Sequence, residues 1–223
     1  MSLFVTGTDT GVGKTVVSAL VLARYGRELA LGYWKPVATG EATEHDRTTI
    51  EELVPGALTA AESYLFPTPV SPHLAARLDG ERIELARVLA RWNELSAVFP
   101  GTGFLVEGAG GALVPLDDSG TMMVDLIARL ALPVLLVARS TLGTINHSLL
   151  TLEALRRRDL ALAGVVLVGP PDEENRRAIE RFGEVEVVSE VPALEAVDAG
   201  SIAAAAAEFD FGGALRPWLG RAS

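Results

Sequence analysis

Eleven residues near the start of the chain, Val5 to Thr15 (VTGTDTGVGKT), narrow the possible folds more than any other stretch. They join a short apolar run, LFVTG (3–7), to an amphipathic run, TVVSALVLARYGREL (15–29), and read as strand, glycine-rich turn, Gly-Lys-Thr and helix. In that setting the backbone amides of Gly11, Val12, Gly13 and the helix start face phosphate oxygens. Lys14 reaches the β and γ oxygens, and the Thr15 hydroxyl can ligate Mg²⁺. The spacing departs from the usual Gly-x-x-x-x-Gly-Lys-Ser/Thr pattern. Five positions before Gly13 stands Thr8, and the glycine opening the turn is Gly7, so the turn is one residue longer.

Downstream, apolar runs bounded by Gly or Pro alternate with helical patterns. Strands are expected at 29–34, 103–108, 133–140, 161–169 and 184–192, and helices at 44–53, 71–80, 84–98, 122–131 and 144–158. Near-continuous apolar strands in βα alternation predict an open, mostly parallel sheet with helices on both faces, the α/β class of P-loop NTPases, as a single domain over 1–223. Ligands of such a sheet bind beyond the C-terminal strand ends. The alanine-rich 201–209 reads as a helix of small side chains, and the tail 212–223 as a segment that frays after its last packed residue.

Composition removes whole classes of function. A net charge of −10 leaves no broad surface for nucleic acid, whose binding needs clustered cations. The basic run Arg156-Arg157-Arg158 falls at a predicted helix end, where it faces the negative pole of the dipole. No apolar run is long enough to cross a membrane and no targeting segment is visible. The absence of cysteine rules out disulfides, thiol nucleophiles and thiolate metal sites, and fits a cytoplasmic protein.

Of the 19 basic residues only two are lysine: Lys14 in the glycine-rich turn and Lys35 in YWKPVATG. Arginine is no substitute for a compact ammonium, so both sites point to a requirement for lysine. A carboxylate is needed near a nucleotide-bound metal. Glu107, ending the apolar run FLVE, stands where such an acid belongs, although a strand-end carboxylate can also cap a turn. Asp46 is a second metal candidate, with Glu41 and Glu44 as neighbouring acids and a solvated helix N-terminus as the plainer alternative.

Six segments in order, VTGTDTGVGKT, GYWKPVATG, PVSPH, VEGAGG, LGTINHSLLT and LAGVVLVG, resemble the dethiobiotin synthetase family over nearly the whole chain. The longer glycine spacing is that family's own pattern. The resemblance implies a ligase using ATP, Mg²⁺ and CO₂ to close the ureido ring of 7,8-diaminononanoate, in a homodimer with substrate at the subunit interface. It places nucleotide at Thr10, Gly11, Val12, Gly13, Lys14, Thr15 and Val16, at Asp46, and at Glu107, Gly108, Ala109 and Gly110. The base falls near Val168, Gly169, Pro192, Ala193 and Leu194. Lys35 and Lys14 become catalytic, Thr15, Asp46 and Glu107 metal ligands, and Thr39, Gly143, Thr144 and Asn146 substrate contacts. Thr39 could equally cap a loop, and Asn146 a helix.

His73 and His147 lie in family-like segments but read as packed or hydrogen-bonded rather than reactive. Relatives commonly carry an asparagine and an acid where Val168 and Gly169 stand here, which predicts a relaxed base preference. The rival reading is a ParA/MinD-like ATPase or nucleotide switch. It shares the fold, but that class usually carries a signature lysine where Asp9 stands, and a switch leaves Lys35 unexplained. Cobyrinate amidotransferases, also related, need a cysteine this chain lacks.

Overall fold

In β1 (Leu3–Gly7) the side chains of Leu3 and Val5 enter one apolar cluster and Phe4 another, the period-2 alternation of a strand buried on both faces. The computed structural model describes residues 2–40 and 45–220, so the acids Glu41 and Glu44 lie outside the described residues. β1 is the centre of a seven-stranded sheet. Its order is β4 (Leu58–Ala60), β2 (Leu31–Trp34), β6 (Gly103–Gly111), β1, β7 (Val134–Arg139), β8 (Leu162–Val168) and β9 (Val187–Val191). Every pairing in it is parallel. The predicted sheet and its helical cover are therefore present.

One face carries α1 (Lys14–Tyr25), α2 (Asp46–Leu53) and α8 (Ala199–Glu208), packed on Leu3, Val5, Leu135 and Val137. The other carries α4 (Leu85–Val98), α5 (Met123–Leu130), α6 (Thr144–Arg156) and α7 (Glu173–Gly183). The basic run ties these helices together: Arg156 donates to the carbonyls of Gly183 and Glu184, and Arg158 to Asp125 at 2.9 Å.

Three expectations need correction. α1 stops at Tyr25 rather than continuing to residue 29, because Gly26 takes over as its C-cap and the chain turns into β2. A second, two-stranded parallel sheet, β3 (Val37–Thr39) with β5 (Tyr64–Phe66), lies beside α3 (Pro72–Leu78) and is invisible as a pattern in three-residue pieces. α7 was not expected: only Ile179 and Gly183 of its 11 residues are buried, and charged residues outnumber the few apolar ones that form its buried side.

The tail is packed as far as Leu219. Asp210, itself buried, accepts from Tyr25 Oη at 2.6 Å and from the amides of Ala214 and Leu215 at 2.8 and 3.0 Å. That holds α9 (Arg216–Leu219) so that Leu215 and Leu219 complete the core beside α1.

Candidate active site

The glycine-rich turn closes tightly because Gly7 has no side chain. A Cβ there would lie 2.8 Å from the Asp9 carbonyl and from Val12, and 3.2 Å from Lys14 Nζ. Val12 tucks into the core, and Gly13, at φ 96°, turns the chain into α1 in a conformation that glycine adopts without strain. Lys14 Nζ donates to the Asp9 carbonyl at 3.1 Å, and the Asp9 carboxylate accepts from its neighbour's amide and from Arg139 at 2.7 Å. The arch is thus braced from both sides.

Because neighbouring strands are parallel, β1, β2 and β6 deliver Lys14, Lys35 and Glu107 to one edge of the sheet. There the side chains converge. Lys35 Nζ donates to Asp46 and to Glu107 Oε1, the latter at 3.1 Å. Thr15 Oγ1 donates to Asp46 Oδ1 at 2.6 Å and lies 3.1 Å from Glu107 Oε1. Ser18 and Tyr33, read from sequence only as part of apolar runs, donate to Glu107 Oε2 at 2.9 and 3.1 Å. No sequence signal marks those two as site residues.

Glu107 is fully buried, and Lys14 and Lys35 are each 7% exposed. Burial depresses the Lys14 ammonium below the ordinary lysine value, and the carboxylates of Glu107 and Asp46 do not fully offset it. Burial acts on Lys35 in the same sense, but Glu107 and Asp46 outweigh it and hold that ammonium above the usual value. Burial would raise the Asp46 carboxyl, yet the charge and hydrogen bond of Lys35 bring it below the ordinary range. At neutral pH the cluster therefore holds a protonated Lys35 against an ionised Asp46.

A cavity of about 640 Å³ opens over these groups. It is lined by Thr10, Gly11, Gly13, Lys14, Thr15, Val16, Lys35, Thr39, Asp46, Glu107, Ala109 and Gly110, with Pro69, Val70, Ser71 and Pro72 from the PVSPH segment. Gly108 is set back against Phe4. The base-region residues lie at the neighbouring strand ends: Val168 packs against Gly13, Gly169 donates to the Val191 carbonyl at 2.9 Å, and Pro192 and Ala193 are exposed after β9 beside a half-buried Leu194. None of these five lines the cavity. Gly143 caps α6, Thr144 is buried and Asn146 exposed, also outside it. His73 and His147 line other clefts.

Two carboxylates and a hydroxyl within hydrogen-bond reach are hard oxygen donors suited to Mg²⁺. Among the described residues no three His, Cys, Asp or Glu side chains form an all-protein metal site.

Residues 1–201 match the family described as AAA domain. The chain is 46% identical to the ATP-dependent dethiobiotin synthetase BioD of Paramagnetospirillum magneticum, over 90% of this chain and 92% of that protein. It is also 46% identical to the BioD of Novosphingobium aromaticivorans, over 92% and 94%. The chain belongs to the dethiobiotin synthetase family. It matches the biotin biosynthesis bifunctional protein BioCD of Bordetella avium at the same 46% identity, there spanning 41% of the longer protein. Among solved structures it resembles a ParA family ATPase from Chlorobium tepidum (TM-score 0.59, 12% identity, 96% of this chain and 97% of that one). The MinC:MinD complex of Aquifex aeolicus gives 0.61 at 15% identity, covering 97% and 94%. At such identities the ParA/MinD likeness speaks for the P-loop fold alone, and the dethiobiotin synthetase relatives disfavour the partitioning-ATPase reading.

Proposed function

We propose that this chain is an ATP-dependent dethiobiotin synthetase that carboxylates 7,8-diaminononanoate and closes its ureido ring, releasing ADP and phosphate. The observation that carries the reading is the one cavity that both lysines line beside Glu107 and Asp46: Lys14 from the glycine-rich turn, and Lys35 from the end of β2, where it donates to both carboxylates. A ligase that joins a carbamate to a triphosphate must bring two anions together, and two fixed ammonium groups in a shielded cavity suit that task.

In the proposed sequence a neutral substrate amine adds to CO₂ and loses a proton, giving a carbamate. A carbamate oxygen attacks the γ-phosphorus and ADP departs. The second amine then attacks the carbonyl carbon of the carbamic-phosphoric anhydride and expels phosphate as the ring closes. Lys14 holds the phosphates, and Lys35 steadies the carbamate and the transferring phosphoryl group, while Thr39 borders the space for the diamine. Thr15, Asp46 and Glu107 would hold Mg²⁺, which when bound supplies further positive charge on the phosphate oxygens.

The homodimer belongs to the same proposal. Leu142, just before α6, is fully exposed, and Leu113 and Leu150, more than half exposed, line a cleft with Val114, His147 and Thr151. A second copy is the natural cover for this apolar face, and it would enclose the α6 start, where Gly143, Thr144 and Asn146 are suited to the substrate's distal carboxylate. No helix among the described residues is long and apolar enough to cross a membrane. An ATP-consuming, cysteine-free chain fits the cytoplasm.

The test is ADP release from Mg·ATP and bicarbonate with and without 7,8-diaminononanoate. Release that depends on the diamine is expected. Release indifferent to it would favour a nucleotide switch.

A further inference from the structure

Both oxygens of Glu107 are taken, but by different kinds of partner. Oε2 accepts from Ser18 Oγ at 2.9 Å and Tyr33 Oη at 3.1 Å, two neutral hydroxyls that are fully buried. Oε1 accepts from Lys35 Nζ at 3.1 Å and lies 3.1 Å from Thr15 Oγ1, whose single proton goes to Asp46 Oδ1, and Glu107 is among the residues that line the cavity. Asp46 is divided similarly between Thr15 and Lys35. The Lys35 ammonium therefore sits between the two carboxylates that a hard cation would use.

We propose that Ser18 and Tyr33 are positioning residues for phosphoryl transfer. They lock Glu107 Oε2, so that Oε1 and Asp46 pass from the Lys35 ammonium to the nucleotide's Mg²⁺ while the Glu107 carboxylate stays in place. The inference rests on the assignment of Thr15, Asp46 and Glu107 as the metal's protein ligands.

Its physical basis is the cost of an uncompensated buried charge. A carboxylate out of water needs a countercharge at all times, and Lys35 supplies one before the metal arrives. A lysine on a flexible four-carbon stem can leave once the carboxylates are engaged, whereas the short serine and the rigid phenol cannot follow it. Metal loading then frees the Lys35 charge for the reacting anions at the moment the nucleotide is seated. Groups that orient a metal ligand from behind in this way typically change metal affinity about 10–100-fold when removed.

Mn²⁺ binding in the presence of ADP, read by electron paramagnetic resonance, tests this in wild type, Ser18→Ala, Tyr33→Phe and Lys35→Met, with metal-free thermal unfolding measured alongside. Well below their unfolding temperatures, Ser18→Ala and Tyr33→Phe should each weaken Mn²⁺ binding about tenfold or more. Lys35→Met should tighten it severalfold by removing the competing cation. Lower thermal stability with Mn²⁺ affinity within twofold of wild type in both hydroxyl variants would reduce Ser18 and Tyr33 to packing and overturn the proposal. Unchanged or weaker binding in Lys35→Met would overturn the exchange at Oε1. Wild type that fails to bind Mn²⁺ with ADP would instead remove the metal assignment itself, a failure distinct from the other two.

Discussion

Lys35 donates to Glu107 Oε1 at 3.1 Å across 72 positions of sequence, and their side chains are 9% and 0% exposed. A pair this deeply buried is a poor device for stability, since its desolvation consumes much of what the attraction returns. Its value is in placing a positive charge beside the phosphate-binding turn. Lys35→Gln should lower turnover about 10²–10³-fold, the effect of losing one preorganised charge-stabilising donor. Single-turnover ADP formation at a near-normal rate would show that Lys35 is not part of the chemistry.

The link between Tyr25 and Asp210 predicts a pH signature. Burial, followed by the Asp210 hydrogen bond and charge, raises the Tyr25 phenol to about 12 from 10.0. The folded state thus retains a proton that the unfolded chain loses, so this contribution is whole below pH 10 and disappears as pH rises toward 12. Tyr25→Phe should cost about 1.5–3 kcal/mol at pH 7, as for a hydrogen bond to a charged group. It should also flatten the fall in stability between pH 10 and 12, which urea unfolding at a series of pH values measures.

Val168 and Gly169 carry no polar side chain, so a base seated beside them, as the family resemblance implies, meets no penalty for leaving buried polar groups unpaired. Ratios of kcat/KM for ATP against GTP and CTP should stay well below about 10³. A preference of that size would mean that another group, such as a backbone segment after β9, reads the base strictly.

Leu142→Glu should divide the proposed dimer, because a carboxylate would be buried on an apolar face without a partner. Light scattering is expected to show twice the chain mass for wild type and a shift toward one chain for the variant. Nucleotide binding should persist while synthesis of dethiobiotin falls. A monomeric wild type with full activity would refute the shared-site arrangement.

Much of the fold was legible because it rests on local patterns. Leu3, Phe4 and Val5 alternate between faces, and Gly7, Gly13, Lys14 and Thr15 encode the turn in consecutive residues. α7 escaped because Ile179 is its lone large buried side chain, and β3, β4 and β5 because three residues carry no period. How far the tail packs is set by Asp210 meeting Tyr25, 185 positions away, and no local pattern records it.

By itself, then, the sequence determined a βα sheet, a phosphate-binding turn and two singular lysines, all of which are properties of residue type and short-range spacing. Only the tertiary structure decided that Lys35 donates to both Asp46 and Glu107, and that Ser18 and Tyr33 stand behind Glu107. Parallel strands bring their C-terminal ends to one edge whatever lies between them in sequence, and no local pattern records which side chains will face each other there.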